Sequence, residues 1–276
     1  MSEQSSSEQA STGHEPRVIV TRDGGVARVT LSNPRRRNAI TLEMAADIEA
    51  FCDQVETDPG VGAVLVEGVG GYFSSGADTR ILAASSTDPA SPSAVASISA
   101  LYRSFTRVGS LPVPTLSLVT GGAVGAGMNL ALATDLMLVT PDAVLDSGFL
   151  ARGIHPGGGH IALLGRRIGY QQVTAMALLG RALSGVEAVE HGLAYAAHDA
   201  AELLPAALEL VALAVKDPEL TRRIKQSLTL ELGSGTVSWP AAVEIERGAQ
   251  MWSLARKGSE GWDRQAPKPQ SGEHKP

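Results

Sequence analysis

Thr115-Leu116-Ser117-Leu118-Val119-Thr120-Gly121-Gly122-Ala123-Val124-Gly125-Ala126-Gly127-Met128-Asn129-Leu130-Ala131 reads as a buried strand, a glycine-rich loop and the start of a buried helix. The five apolar-rich residues Thr115 to Val119 are too few for a helix and are bounded by turn residues on both sides. A second stretch upstream has the same form. Val61 to Val66 is a β-branched run that feeds the loop Gly68 to Asp78, which contains Gly76-Ala77-Asp78. Small residues let a ligand approach the main chain, and a helix start leaves backbone N–H groups unpaired. Two such groups aimed at one point can hold a developing oxyanion. Taken singly, either loop reads more readily as a plain turn.

Competing readings of these loops fail on spacing. Gly122, Gly125 and Gly127 are spaced GxxGxG rather than GxGxxG, and no Lys-Ser or Lys-Thr follows, so neither a dinucleotide fingerprint nor a P-loop is present. Ser74 and Ser75 have no G-x-S-x-G elbow around them. Val108 to Thr134 carries no charge and is long enough to span a bilayer. Pro112, Pro114 and the glycines break it into strand, loop and helix, so no membrane span is expected and a cytoplasmic location is.

Composition agrees. Apolar residues make up 43% and charged residues 19% of 276, which supports a large core. The net charge of −6 and only 4% aromatics argue against a nucleic-acid partner. The single cysteine, Cys52, excludes an internal disulfide and a multi-cysteine metal site, and no metal is expected. The polar ends, 1–16 and 265–276, read as disordered tails.

Between them the chain reads as α/β. Arg17 to Arg22 and Val26 to Leu31, joined by Asp23-Gly24-Gly25, predict a hairpin. Thr41 predicts an N-cap for a helix to about Thr57, with Met44, Ile48, Phe51, Cys52 and Val55 on its buried face. Ile81 to Ser99 is rich in Ala, Ser and Pro and gives no clear period; Ala100 to Val108 reads as helical. Asp135 to Thr140 predicts a strand. Helices are expected over Gly157 to Ile168, Gln171 to Leu179, Gly185 to His191, Ala200 to Lys216, Pro218 to Leu232 and Trp239 to Lys257.

Three motifs in order carry a family resemblance. They are Asn33-Pro34-Arg35-Arg36-Arg37-Asn38-Ala39-Ile40, then Phe73-Ser74-Ser75-Gly76-Ala77-Asp78, then Gly121 to Gly127 with Leu130, Ala131 and Asp135. From about Arg17 to Gly261 the chain resembles the crotonase superfamily, the enoyl-CoA hydratase/isomerase family. The resemblance implies a repeated ββα spiral with a helical C-terminal part. Residues 17–200 would be the core bearing an acyl-CoA site, and 201–264 the helices that pack subunits into a homotrimer or dimer of trimers. It implies Ala77 N–H and Ala126 N–H as oxyanion donors. It puts the CoA thioester against Arg37, Asn38, Ala39, Ser75, Gly76, Asp78, Thr79, Arg80 and Gly125. No separate cofactor is implied, since coenzyme A belongs to the substrate.

The same resemblance exposes a departure. The family's two glutamates fall on Asn129 and Phe149. Hydration needs a proton removed from water and another delivered to Cα, and neither an amide nor a phenyl ring does that near neutral pH. Asp146 and His155 are the candidate substitutes, while His160 and Asp135 read as structural. Two functions stay open: a hydratase/isomerase-type enzyme with altered acid–base groups, or a non-catalytic acyl-CoA binding or delivery protein.

Overall fold

The computed structural model describes residues 15–233 and 237–262. Most of both proposed tails lies outside the described residues. In chain order the elements are β1 (Arg17–Asp23), β2 (Val26–Ser32), α1 (Leu42–Thr57), β3 (Ala63–Gly68), α2 (Thr79–Thr87), α3 (Pro92–Gly109), β4 (Thr115–Val119), β5 (Gly122–Val124), α4 (Ala126–Ala133), β6 (Leu136–Val139), β7 (Val144–Asp146), α5 (His160–Gly165), α6 (Tyr170–Val173), β8 (Leu183–Ser184), α7 (Gly185–Glu190), β9 (Ala196–Ala197), α8 (Leu203–Lys216), α9 (Pro218–Leu232) and α10 (Trp239–Lys257).

A six-stranded sheet has the order β1-β2-β3-β4-β6-β9, and a three-stranded one the order β5-β7-β8. Only β1–β2 in the large sheet is antiparallel; β2, β3, β4, β6 and β9 run parallel. Each turn of chain gives one strand to the large sheet, a short extended piece to the second layer, and then a helix. The second-layer pieces pair in parallel as well: Ile40 bridges Ala77, Ser74 bridges Ala123, and β5 pairs with β7. Four successive turns therefore form a ββα spiral. The parallel strands β3 and β4 are buried along most of their length, as expected when helices cover both faces.

The main core lies between the large sheet and helices α1, α3 and α4, with Phe51, Phe73, Phe105 and Met128 fully enclosed. A smaller core packs Leu65, Leu116 and Leu138 against Leu203 and Val211 of α8. Cys52 lies in the main core, where burial pushes its thiol up to about 12, so it is an inert apolar residue.

Several local expectations change. The strand expected at Val61 to Val66 is Ala63–Gly68, because Gly62 N–H is drawn to Gly25 O at 2.8 Å and the ladder starts after it. The Gly121 to Gly127 loop contains β5, and the apolar Ala143 to Leu150 contains β7. The helix expected from Gly157 starts at His160, because Gly158 and Gly159 have φ of 76° and 78°. Gln171 to Leu179 is one α-turn continued as a π-turn over Thr174–Leu178. The unclear segment Ile81 to Ser99 resolves into most of α2 and the first part of α3, separated by a turn that ends at Ser91, whose hydroxyl accepts from Ala94 N–H with Pro92 at the first helical position.

Candidate active site

The segment after β2 docks onto the loop after β3 through side chains that face inward. Arg37 and Asn38 both have left-handed backbone, φ 49° and 55°. Asn38 is fully buried; its Oδ1 accepts from Asn33 N–H at 2.8 Å and its Nδ2 donates to Val69 O and Tyr72 O. A residue holding three backbone groups in an αL conformation is a loop clamp, and asparagine is the non-glycine residue that best tolerates it. Ser75 N–H donates to Arg37 O at 2.8 Å, and Ser75 Oγ to Arg36 O. Ala39 is buried with its carbonyl accepting from Asn33 Nδ2. Arg37 lies over the Tyr72 ring at 5.4 Å.

Asp78 caps α2 by accepting from Arg80 N–H at 2.9 Å, and pairs with the Arg80 guanidinium at 2.7 Å and Arg36 at 3.5 Å. Burial alone would raise its carboxyl. The Arg80 bonds and the Arg36 charge outweigh burial and hold it below the usual carboxylate range. Asp78 is thus an ionised structural acid that gathers two arginines at the rim.

Two loops meet at the centre. Ser74 N–H donates to Gly122 O and Val124 N–H to Ser74 O, so the loops run side by side. Close approach needs glycine at two points. A Cβ on Gly127 would stand 2.6 Å from Ser74 Cβ, and one on Gly76 2.8 Å from Val124 O and 3.5 Å from Ala126 N. Gly76 also has φ 104°, a conformation open to glycine alone. Ile40 N–H donates to Gly76 O and Asp78 N–H to Ile40 O, so the alternation turns Ala77 N–H to the opposite side. Ala126 opens α4, whose first internal bond is Asn129 N–H to Gly125 O at 2.9 Å. Ala77 and Ala126 both line one cavity of about 80 Å³, together with Ser75, Gly76, Thr79 and Gly125. Unpaired N–H groups at such a point are the arrangement that holds a carbonyl oxygen gaining charge.

Asn129 and Phe149 line the same cavity. Asn129 Nδ2 donates to Gly157 O at 2.8 Å, so its Oδ1 is the atom that accepts from His160 Nδ1–H at 2.7 Å. His160 Nε2 then accepts from Ser147 Oγ at 2.7 Å. The Phe149 ring meets His160 edge-on at 4.9 Å between centroids. Burial lowers His160 to about 3, so the imidazole is neutral and clamps Asn129 instead of carrying protons. Glu246 of α10 holds the next turn, accepting from His160 N–H at 2.8 Å and Ile161 N–H at 3.0 Å.

The depressed His160 has a consequence for stability. The unfolded imidazole gains a proton near pH 6.5 and the folded one does not until about 3, so this contribution is complete above pH 6.5 and is lost as pH falls below it. Between pH 6.5 and 5 unfolding stability should fall by up to ~1.4 kcal/mol per pH unit from this group. His160→Gln should flatten that slope in urea melts at pH 5 to 8. An unchanged slope would contradict a neutral, buried His160.

Asp146 and His155 are not brought to the cavity wall. Asp146 ends β7 behind Val124, accepting from Gly148 N–H at 2.9 Å, and burial raises its carboxyl. His155 Nδ1 lies 2.7 Å from Pro156 O, and the residue borders two grooves beside Ile161 outside the cavity. Sequence reading missed Tyr102, Arg152, Gln250 and Trp262, which also line the cavity. Tyr102 donates to Gln250 Oε1 and burial raises its phenol, so it stays protonated. No Asp, Glu or His stands among the described residues lining the cavity.

Comparison with known proteins gives one consistent picture. A family model described as enoyl-CoA hydratase/isomerase matches residues 21–249. A probable enoyl-CoA hydratase of Mycobacterium tuberculosis is 43% identical over 195 residues, covering 71% of this chain and 74% of that one. A 1,2-epoxyphenylacetyl-CoA isomerase of Escherichia coli is 33% identical over 187 residues, 67% of this chain and 71% of that one. Among solved structures, an enoyl-CoA hydratase from Mycobacterium avium subsp. paratuberculosis superimposes with TM-score 0.77 at 28% identity, over 90% of this chain and 98% of that one.

Proposed function

The chain belongs to the enoyl-CoA hydratase/isomerase family, and on that premise we propose that it binds an acyl-CoA thioester and polarises its carbonyl between Ala77 N–H and Ala126 N–H. The observation that carries this reading is the meeting of the two loops at one cavity, with both residues on its wall. Ser75, Gly76, Thr79 and Gly125 line the thioester end. Arg36, Arg37 and Arg80 supply positive charge at the rim for the CoA phosphates. Asn38, Ala39 and Asp78 act one step back, by fixing the loops that carry these groups.

The described lining of this cavity holds no carboxylate and no imidazole to carry a proton beside the thioester. Of the two functions compatible with the sequence, a hydratase/isomerase-type enzyme and a non-catalytic acyl-CoA binding or delivery protein, the second is favoured by the absence of Asp, Glu and His from the described lining. Calorimetric titration with butyryl-CoA and with crotonyl-CoA should therefore give saturable binding, with crotonyl-CoA recovered unchanged. Failure of both thioesters to bind better than free CoA would remove the proposal. Rapid conversion of crotonyl-CoA would restore the enzyme.

We also propose a homotrimer or dimer of trimers. No helix among the described residues is long and apolar enough to cross a membrane, yet α9 exposes Leu220, Ile224, Leu228 and Leu232 at 53%, 58%, 52% and 77% along one stripe. Trp252 on α10 is 60% exposed. Apolar stripes of this kind are covered by another protein surface in stable proteins. Light scattering at micromolar concentration should return about three or six chain masses, and a stable monomer would refute the assembly.

A further inference from the structure

We propose that the acyl side of this cavity is a short compartment closed by Trp262, so that the thioesters it takes carry acyl chains of about four carbons. The inference rests on the acyl-CoA reading of the same site and names its substrate class.

The compartment begins at the two loops and runs along α2. Thr79 and Leu82, one helical turn apart, line it; Ile98, Leu101 and Phe105 of α3 form the facing wall. Ser86 lies one turn beyond Leu82 and does not reach the cavity. Instead its hydroxyl donates to Leu82 O at 2.7 Å and accepts from Trp262 Nε1 at 3.0 Å. Ser86 is buried, so both of its hydrogen-bonding roles are committed and the indole edge is fixed there. Lys257 Nζ stands 4.5 Å from the centre of the Trp262 ring, a second restraint on the same side chain. The indole thus lies across the line of α2 just where the cavity ends.

Volume sets the chain length. The cavity is about 80 Å³, roughly half of the ~150 Å³ apolar cavity that takes up benzene. Half of a six-carbon ligand is about three carbons, the tail that a butyryl group carries beyond its carbonyl, and the same cavity holds the thioester end as well. A longer chain has to displace an indole held by a partly buried hydrogen bond and a cation.

The test is direct binding of saturated thioesters to the full chain, read as the ratio of Kd for octanoyl-CoA to Kd for butyryl-CoA. Wild type should favour butyryl-CoA at least tenfold. Trp262→Ala should lower that ratio at least tenfold, because each methylene that gains apolar cover strengthens binding roughly fourfold. Trp262→Phe, which keeps an aromatic wall and the fold, should fall between the two. Octanoyl-CoA binding as tightly as butyryl-CoA to wild type would overturn the compartment. A ratio unmoved in both variants would overturn the role of Trp262. In either case, thioester binding above that of free CoA would leave the oxyanion reading standing. If neither thioester binds better than CoA, that reading fails and this one with it.

Discussion

Ala126→Pro is expected to weaken butyryl-CoA binding about tenfold, and to lower by roughly 10²–10³-fold the rate of any reaction that passes through a thioester enolate. The substitution replaces one N–H by the ring Cδ, which removes the donor and takes up part of the oxygen's place, while the helix start tolerates it. Ala126 is the first residue of α4, where proline is favoured because that N–H has no partner inside the helix. Gly125 before it has φ 55° and ψ −119°, the mirror image of the extended backbone that precedes proline and open to glycine alone. The fold should therefore survive, with an unchanged urea midpoint as the control. Ala77 is a poorer place for the same experiment. Gly76 at φ 104° is wedged against Val124 O, and a proline ring next to it would push the loops apart. Full binding by a folded Ala126→Pro protein would mean that the thioester oxygen lies elsewhere.

Wild-type hydration of crotonyl-CoA should fall well below the ~10⁴–10⁸ M⁻¹s⁻¹ range of ordinary enzymes, and Asn129→Glu with Phe149→Glu together should raise it at least 10²-fold. Each missing acid–base group is worth ~10²–10⁴-fold. The two positions border one cavity and both touch His160. A glutamate at 129 would still accept from His160 Nδ1–H, although Gly157 O would lose its donor. Burial would raise both new carboxyls, which suits the one that must arrive protonated. The pair should act as a unit, so either single change should recover far less. The wild-type rate is the decisive half of this experiment. Efficient hydration would mean that other residues replace the glutamates or that Asn129 and Phe149 do not stand at the glutamate positions.

The local signals that survived folding were those with a mechanism inside one segment. The Asp23-Gly24-Gly25 turn made its hairpin, and Thr41 caps α1 by accepting from Met44 N–H at 3.2 Å. The two glycine loops were legible because close main-chain approach leaves glycine at fixed places, and Gly76 and Gly127 stand at those places. What stayed hidden was short or distant. Strands β5 and β7 have three residues each, too few to show an alternation of side chains. Helix α2 buries Ser85 and Ser86 rather than a stripe of leucines, so it had no apolar period to read. Tyr102 and Gln250 meet across 148 residues, and Trp262 reaches Ser86 across 176, contacts that only the packing of α10 and the turn after it creates. The reading of Asn129 as an amide at a glutamate position was available from the sequence. Its clamp by His160 was not, because a buried histidine at a helix start looks the same whether it holds a neighbour or merely fills space.

A crystal structure with butyryl-CoA bound tests the central claim most directly. The thioester oxygen should lie ~2.7–3.1 Å from both Ala77 N and Ala126 N, with the acyl chain running along α2 toward Trp262. A thioester oxygen turned away from both nitrogens, with the CoA bound elsewhere on the chain, would contradict it.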